Sequence, residues 1–115
     1  MFVEDVPVKV KKSNLLQNIP PAMRAEFVER IAWRKGVRIE RIVSRGHASA
    51  AGFWYDQAET EWVLLVAGAA RIRFEENDEI IEMAPGDHIT IPARARHRVE
   101  WCPPDQDTIW IAVFY

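Results

Sequence analysis

The sequence predicts an all-β fold, a barrel or sandwich, with one helix near the N-terminus. Three observations lead to it. From Val37 onward apolar residues recur at every second position in short runs, the period of half-buried strands. Turn-forming clusters separate the runs at close spacing: Glu76-Asn77-Asp78, Pro85-Gly86-Asp87 and Pro103-Pro104-Asp105. Strands never alternate with helical segments, so the pattern is not that of a parallel sheet built from crossover units.

The elements follow in chain order. Val6, Val8 and Val10 alternate with Pro7, Lys9 and Lys11, as in a short edge strand that tolerates proline and lysine. The same segment could serve as an arm exchanged with another subunit. Residues 20–35 read as a helix. Asn18 caps it, Pro20 and Pro21 fit its first turn, and Met23, Phe27 and Ile31, with Val28 and Ala32, make one apolar stripe. Gly36 then stops it. Residues 1–36 are thus expected to be an arm and helix packed on a barrel formed by residues 37–115. Within that barrel Val37, Ile39 and Val43 alternate with Arg38, Glu40 and Ile42, Ala70, Ile72 and Phe74 with Arg71 and Arg73, Ile89 and Ile91 with His88 and Thr90, and His97, Val99 and Trp101 with Arg96, Arg98 and Glu100. Residues 61–67 and 109–115 are apolar on both faces, as strands covered on both sides should be.

Composition narrows the function classes. A length of 115 residues fits one domain, which at this size buries roughly two thirds of its extended surface. The longest apolar run, Trp62 to Ala70, is about half of what a membrane helix needs. Met1-Phe2-Val3-Glu4-Asp5 has no basic start and no apolar stretch, so no secretion signal is expected. Cys102 is the only cysteine, which precludes an internal disulfide and points to the reducing cytoplasm. A net charge of -2 argues against nucleic acid as the main partner.

Two segments carry the chemistry. The first is Glu61 followed by six residues and Gly68. The second is Gly86-Asp87-His88-Ile89-Thr90-Ile91-Pro92-Ala93-Arg94-Ala95-Arg96-His97, with five residues between the Gly and the Pro and a His five positions after the Pro. The pair resembles the two conserved motifs of the cupin superfamily over residues 46–101. That resemblance implies a double-stranded β-helix, or jelly-roll, barrel and a site in which the histidines and Glu of motif one and the His of motif two hold a divalent metal. Glu61 and His97 match their places directly. The two motif-one histidines are absent: their places fall on Trp54 and Asp56, or on Tyr55 and Gln57, depending on the count. Arg94 and Trp101 replace the motif-two Gly and Asn. The implied metal ligands are therefore Asp56 or Gln57, Glu61 and His97, and an oxygen-rich set of this kind suits Mn, Fe or Zn better than copper.

Strand parity points the same way. His97 shares a face with Val99 and Trp101, and Glu61 with Val63, Leu65 and Ala67, so both face inward. An inward carboxylate is costly unless it is paired or bound to a metal. Plainer roles stand beside these: His97 as a satisfied interior histidine, Glu61 as a salt-bridge partner, Asp56 as a turn cap. Trp54, Tyr55 and Trp101 are expected to line the barrel mouth around a ligand, while Trp62 and Trp110 fill the interior. Asp87 and His88 read as structural, and His47 as solvent-facing. Arg71, Arg73, Arg96 and Arg98 read as outward members of cross-strand salt bridges. Arg45 and Arg94 are the candidates for anchoring a carboxylate or phosphate.

Three functions remain open. One is a metal-binding cupin that holds a small polar or carboxylate-bearing ligand and performs isomerase, lyase or oxygenase chemistry. The second is a ligand-binding or sensor cupin without metal or catalysis. The third is a purely structural dimerisation unit. Sheet pairing, common among cupins, leads us to expect a homodimer.

Overall fold

The structure, a computed structural model, describes residues 9–115. Eight strands form it: β1 (Phe27–Arg34), β2 (Val37–Ser44), β3 (Glu61–Ala67), β4 (Ala70–Phe74), β5 (Glu79–Met83), β6 (His88–Ile91), β7 (His97–Trp101) and β8 (Thr108–Phe114). They make a five-stranded sheet in the order β1-β2-β8-β3-β6 and a three-stranded sheet in the order β5-β4-β7. Every pairing is antiparallel. The core draws on both sheets, with Val63, Leu65, Ile91, Trp110 and Phe114 from one and Ala70, Ile72 and Met83 from the other.

The expected helix over residues 20–35 does not form. Among the described residues the sole helical segment is a single 3-10 turn, Glu76–Asp78, and none is long and apolar enough to cross a membrane. Residues 27–34 are instead the edge strand β1. Phe27, Val28, Ile31 and Trp33 are aromatic or β-branched, which favours a strand. A bulge between Arg30 and Ala32 leaves Ile31 opposite no partner. Met23 lies ahead of β1, and Phe27 and Ile31 are four residues apart, an even separation that a strand and a helix share. Gly36, read as a helix stop, sits at φ 81 in the two-residue link between Arg34 and Val37, a left-handed backbone that glycine adopts without a steric penalty. Asn18, read as a cap, is left-handed at φ 54. Of the predicted first strand, Val6 and Val8 lie outside the described residues, and Val10 is exposed and unpaired with any strand.

Segment 15–18 is held by a buried arginine. Arg41 on β2 donates to the carbonyls of Leu15, Gln17 and Asn18 at 3.1, 2.6 and 3.2 Å. It also meets Glu29 at 3.1 Å. One face of β2, with Arg41 and Val43, is thereby covered.

Three of the outward arginines behave as expected, whereas Arg98 pairs with Glu100 on its own strand at 3.2 Å and donates to the carbonyl of Ser49 at 3.0 Å. Arg71 pairs with Glu82 at 2.9 Å, Arg73 with Glu100 at 3.2 Å and with Asp78, and Arg96 with Glu75 at 3.3 Å. Exposed pairs of this kind contribute little each. Arg45, a candidate anchor, is taken by Asp107 at 2.6 Å and by the carbonyl of Pro21. Asp87 accepts from the amide of Ala84 and shapes the β5–β6 turn, and exposed His88 accepts from Trp62 Nε1. Trp62 thus lies half-buried against His88 rather than filling the interior, whereas Trp110 is in the core. His47 is half-buried, its Nδ1 accepting from the amide of Arg45. Buried Cys102 donates from Sγ to the carbonyl of His47, and burial pushes its thiol pKa up.

Candidate functional site

A cavity of about 230 Å³ lies between the sheets. Its polar wall is assembled from five places in the chain: Glu26 ahead of β1, Arg38 and Glu40 on β2, Tyr55 and Gln57 in the link to β3, Glu61 at the start of β3 and His97 at the start of β7. Glu61 is 8% exposed and His97 5%.

The last two meet across the sheets. His97 Nε2 lies 3.5 Å from Glu61 Oε1. The imidazole Nδ1 is 2.8 Å from the carbonyl of Ala95, which assigns the proton to Nδ1 and directs Nε2 at the carboxylate. Glu61 Oε1 also accepts from Gln57 Nε2 at 2.9 Å. The pair can therefore hold one proton between imidazole and carboxylate, with Gln57 donating to the same carboxylate oxygen.

Tyr55 sets the direction of His97. Residues 55 and 97 form an isolated antiparallel bridge, with amide-to-carbonyl distances of 2.7 and 3.2 Å. Their rings stack at 5.4 Å between centroids, 24° from parallel. The tyrosine hydroxyl faces Glu26 Oε1 at 3.4 Å. Burial, followed by the Glu26 carboxylate, pushes the phenol up to about 12, so it keeps its proton and donates. Burial also raises the Glu26 carboxyl, and the Tyr55 hydroxyl and nearby His47 only partly offset that.

The raised Glu26 carboxyl has a consequence for stability. A group whose value is higher in the folded chain contributes fully below its ordinary value and loses that contribution as pH rises through the raised one. Glu26→Gln is therefore expected to gain on the parent chain as pH climbs from 4.5 towards neutrality. Denaturant midpoints measured across that range check it, and parallel curves for parent and variant would refute it.

The sequence-derived site residues divide. Tyr55, Gln57, Glu61 and His97 line the cavity. Asp56 and Trp54 do not: side chains alternate along the segment that bridges to β7, so 55 and 57 point in while 54 and 56 point out. Asp56 is half-exposed and faces Arg94 at 3.5 Å, and the Trp54 ring lies under the Arg98 guanidinium. Trp101 also faces away, beneath Arg71 and 37% exposed. Trp101 pairs with Arg71 while Val99 pairs with Ile72, so Glu100 is bulged and the strand's parity reverses just before Trp101.

Glu26, Arg38 and Glu40 were not singled out from sequence. Glu26 was hidden inside the expected helix. Arg38 and Glu40 alternate with the apolar residues of β2, and they form an ion pair at 3.3 Å in the cavity wall, with Glu59 a second partner of Arg38. The available signal was buried Arg41 at the opposite parity, which leaves no purely apolar face on β2.

Whether these residues fit a divalent ion is decided by the donors. Catalytic metal sites keep three protein ligands. Here one imidazole and one carboxylate converge, Asp56 is turned outward, and the Gln57 amide donates to the carboxylate. Among the described residues no three His, Cys, Asp or Glu side chains cluster as a metal site would need. The donor set falls short.

No protein-family profile matches the chain, and no curated protein does. Solved structures do. A candidate mannose-6-phosphate isomerase from Ralstonia eutropha JMP134 is 42% identical, with 91% of this chain and 97% of that one covered and a TM-score of 0.87. An RmlC-like cupin protein from Desulfovibrio desulfuricans is 13% identical, covering 92% and 97% of the two chains at a TM-score of 0.65. Fe(II)-HppE with the alternative substrate (S)-1-HPP is 11% identical, covering 87% and 54% at 0.67. The last two show the shared fold, the first a relationship along nearly the whole of both chains, and this protein belongs to the cupin superfamily.

Proposed function

We propose that this cupin binds a small polar ligand in the inter-sheet cavity, holds it on Gln57, Glu61 and His97, and uses the Glu61–His97 pair to take a proton from it or return one. One observation carries the reading. His97 spends Nδ1 on a backbone carbonyl and aims Nε2 at the Glu61 carboxylate, 3.5 Å away, inside the cavity. A buried acid–base pair held in place by the backbone and adjoining a ligand-sized space is the arrangement proton transfer needs.

The cupin fold serves isomerases, lyases and oxygenases alike, so the reaction has to be argued from the residues. The divalent metal expected from the motifs (Mn, Fe or Zn at Asp56, Gln57, Glu61 and His97) is disfavoured by the shortage of donors. The relative's name suggests a hexose phosphate. The phosphate finds poor support in this cavity, because the guanidinium in its lining, Arg38, is already engaged by Glu40 and Glu59. Proton transfer between neighbouring carbons of an uncharged or cationic compound agrees better with the residues present.

The test has two arms. Protein stripped with chelator and then supplied with Mn, Fe or Zn is expected to take up none stoichiometrically. Small polyols, amines and hydroxy acids are expected to include compounds that raise the melting temperature of the parent chain, with the rise lost in Glu61→Gln and His97→Gln while their circular dichroism stays that of the parent. One metal per chain, lost in His97→Gln, would overturn the reading. So would stabilising compounds that act equally on both variants.

A further inference from the structure

Resting on the reading of the cavity as a ligand site, we infer that its occupant is an amphipathic amine: a compact apolar or aromatic body bearing an ammonium group. The balance of charge in the wall carries this. Glu26, Glu40 and Glu61 line the cavity, against Arg38 and His97. Arg38 is committed to Glu40 at 3.3 Å. Among the described residues neither Glu26 nor Glu61 has a lysine or arginine within ion-pair distance: Glu61 has His97 and Gln57, and Glu26 has the Tyr55 hydroxyl. Even with a proton on His97, the ionised wall carries more negative than positive charge.

An anionic guest would add to that imbalance, a neutral one would leave it, and an ammonium offsets it. The carboxylate of Glu26 gains most from a cation. It faces the Tyr55 hydroxyl, Ser44, His47 and the like charge of Glu61, and burial penalises its ionisation. The rest of the wall selects the body of the guest. Ile42, Val63, Ile72, Ile91, Trp110 and Phe114 are apolar, so burial there rewards hydrocarbon and not hydroxyls. The wall already accommodates a cation on an aromatic face, since the Arg38 guanidinium sits 3.9 Å from the centroid of Phe114. Size agrees as well: an apolar cavity of about 150 Å³ takes up benzene, and this one, at about 230 Å³, has room for a ring and a short head group. The charge assignment replaces the carboxylate-bearing ligand that the motifs suggested.

Three probes of nearly equal size separate the possibilities: benzylamine, benzyl alcohol and benzoate, titrated calorimetrically into the intact chain at neutral pH. The expected order of affinity is benzylamine, then benzyl alcohol, then benzoate, with roughly tenfold or more between the first and the last. Glu26→Gln is expected to shrink the ratio of benzylamine to benzyl alcohol affinity several-fold. Any other order, or equal affinities, overturns the amine assignment and leaves the cavity reading in place. An unchanged ratio in Glu26→Gln overturns the role of that carboxylate. Absence of binding by all three at millimolar concentration overturns the amine assignment, while the cavity reading is decided by the Glu61→Gln and His97→Gln variants.

Discussion

Gly68→Ala is expected to destabilise the fold by about 3 kcal/mol or more. Gly68 joins β3 to β4 at φ 86. A left-handed backbone costs an ordinary residue about 1–2 kcal/mol. Here the added methyl would also lie 2.6 Å from the Asp107 carbonyl oxygen, 2.6 Å from Thr108 Oγ1 and 2.7 Å from Thr108 Cα. Two of those atoms belong to the backbone at the start of β8, and Thr108 is fully buried with its hydroxyl donating to Ala69. Nothing there yields without moving a central strand. Gly36 has a similar φ of 81 and open space around its missing Cβ, so Gly36→Ala isolates the backbone term and should lose only about 1–2 kcal/mol. Denaturant midpoints of the two variants check the difference. Equal losses would mean that the crowding at Gly68 is relieved elsewhere.

Trp110→Ala is expected to cost about 3–5 kcal/mol. The indole is 4% exposed, in the middle of β8, and its backbone registers with Ile42 on β2 and Leu65 on β3. Removing it takes out a large apolar contact at the junction of three strands. One side of the ring already faces the cavity, so the loss is expected towards the lower end of the range, because a wall contributes fewer contacts than a fully enclosed ring. The variant also widens the candidate site. A denaturant midpoint unchanged from the parent would contradict the packing described above.

Much of the architecture was legible in alternation alone. The strands carrying Ile72, Ile91 and His97 read as period-two segments, because each presents one face to the core, and the strand that starts at Glu61 reads as a continuous apolar run, because it lies between β8 and β6 inside the larger sheet. Bulges defeated the same rule in two places. The unpaired residue at Ile31 shifts the parity of β1 from Ala32 onward, and the one at Glu100 sent Trp101 outward. A bulge adds one residue with no distinctive composition, so parity counted along a strand fails silently beyond it. Glu26 was illegible for a different reason. Its place in the wall depends on a contact with Tyr55, 29 positions away, and on a segment preceding β1 that has no period of its own.

The bridge between residues 55 and 97 places the site's orientation in the main chain. Peptide groups, not side chains, fix where the two rings stand, and peptide groups are the same whatever residues are encoded. In evolutionary terms the frame and its contents are separable: imidazole, phenol or carboxylate can be exchanged singly while the clasp keeps its aim. A scaffold of that kind can change its chemistry by single substitutions without passing through a misfolded ancestor.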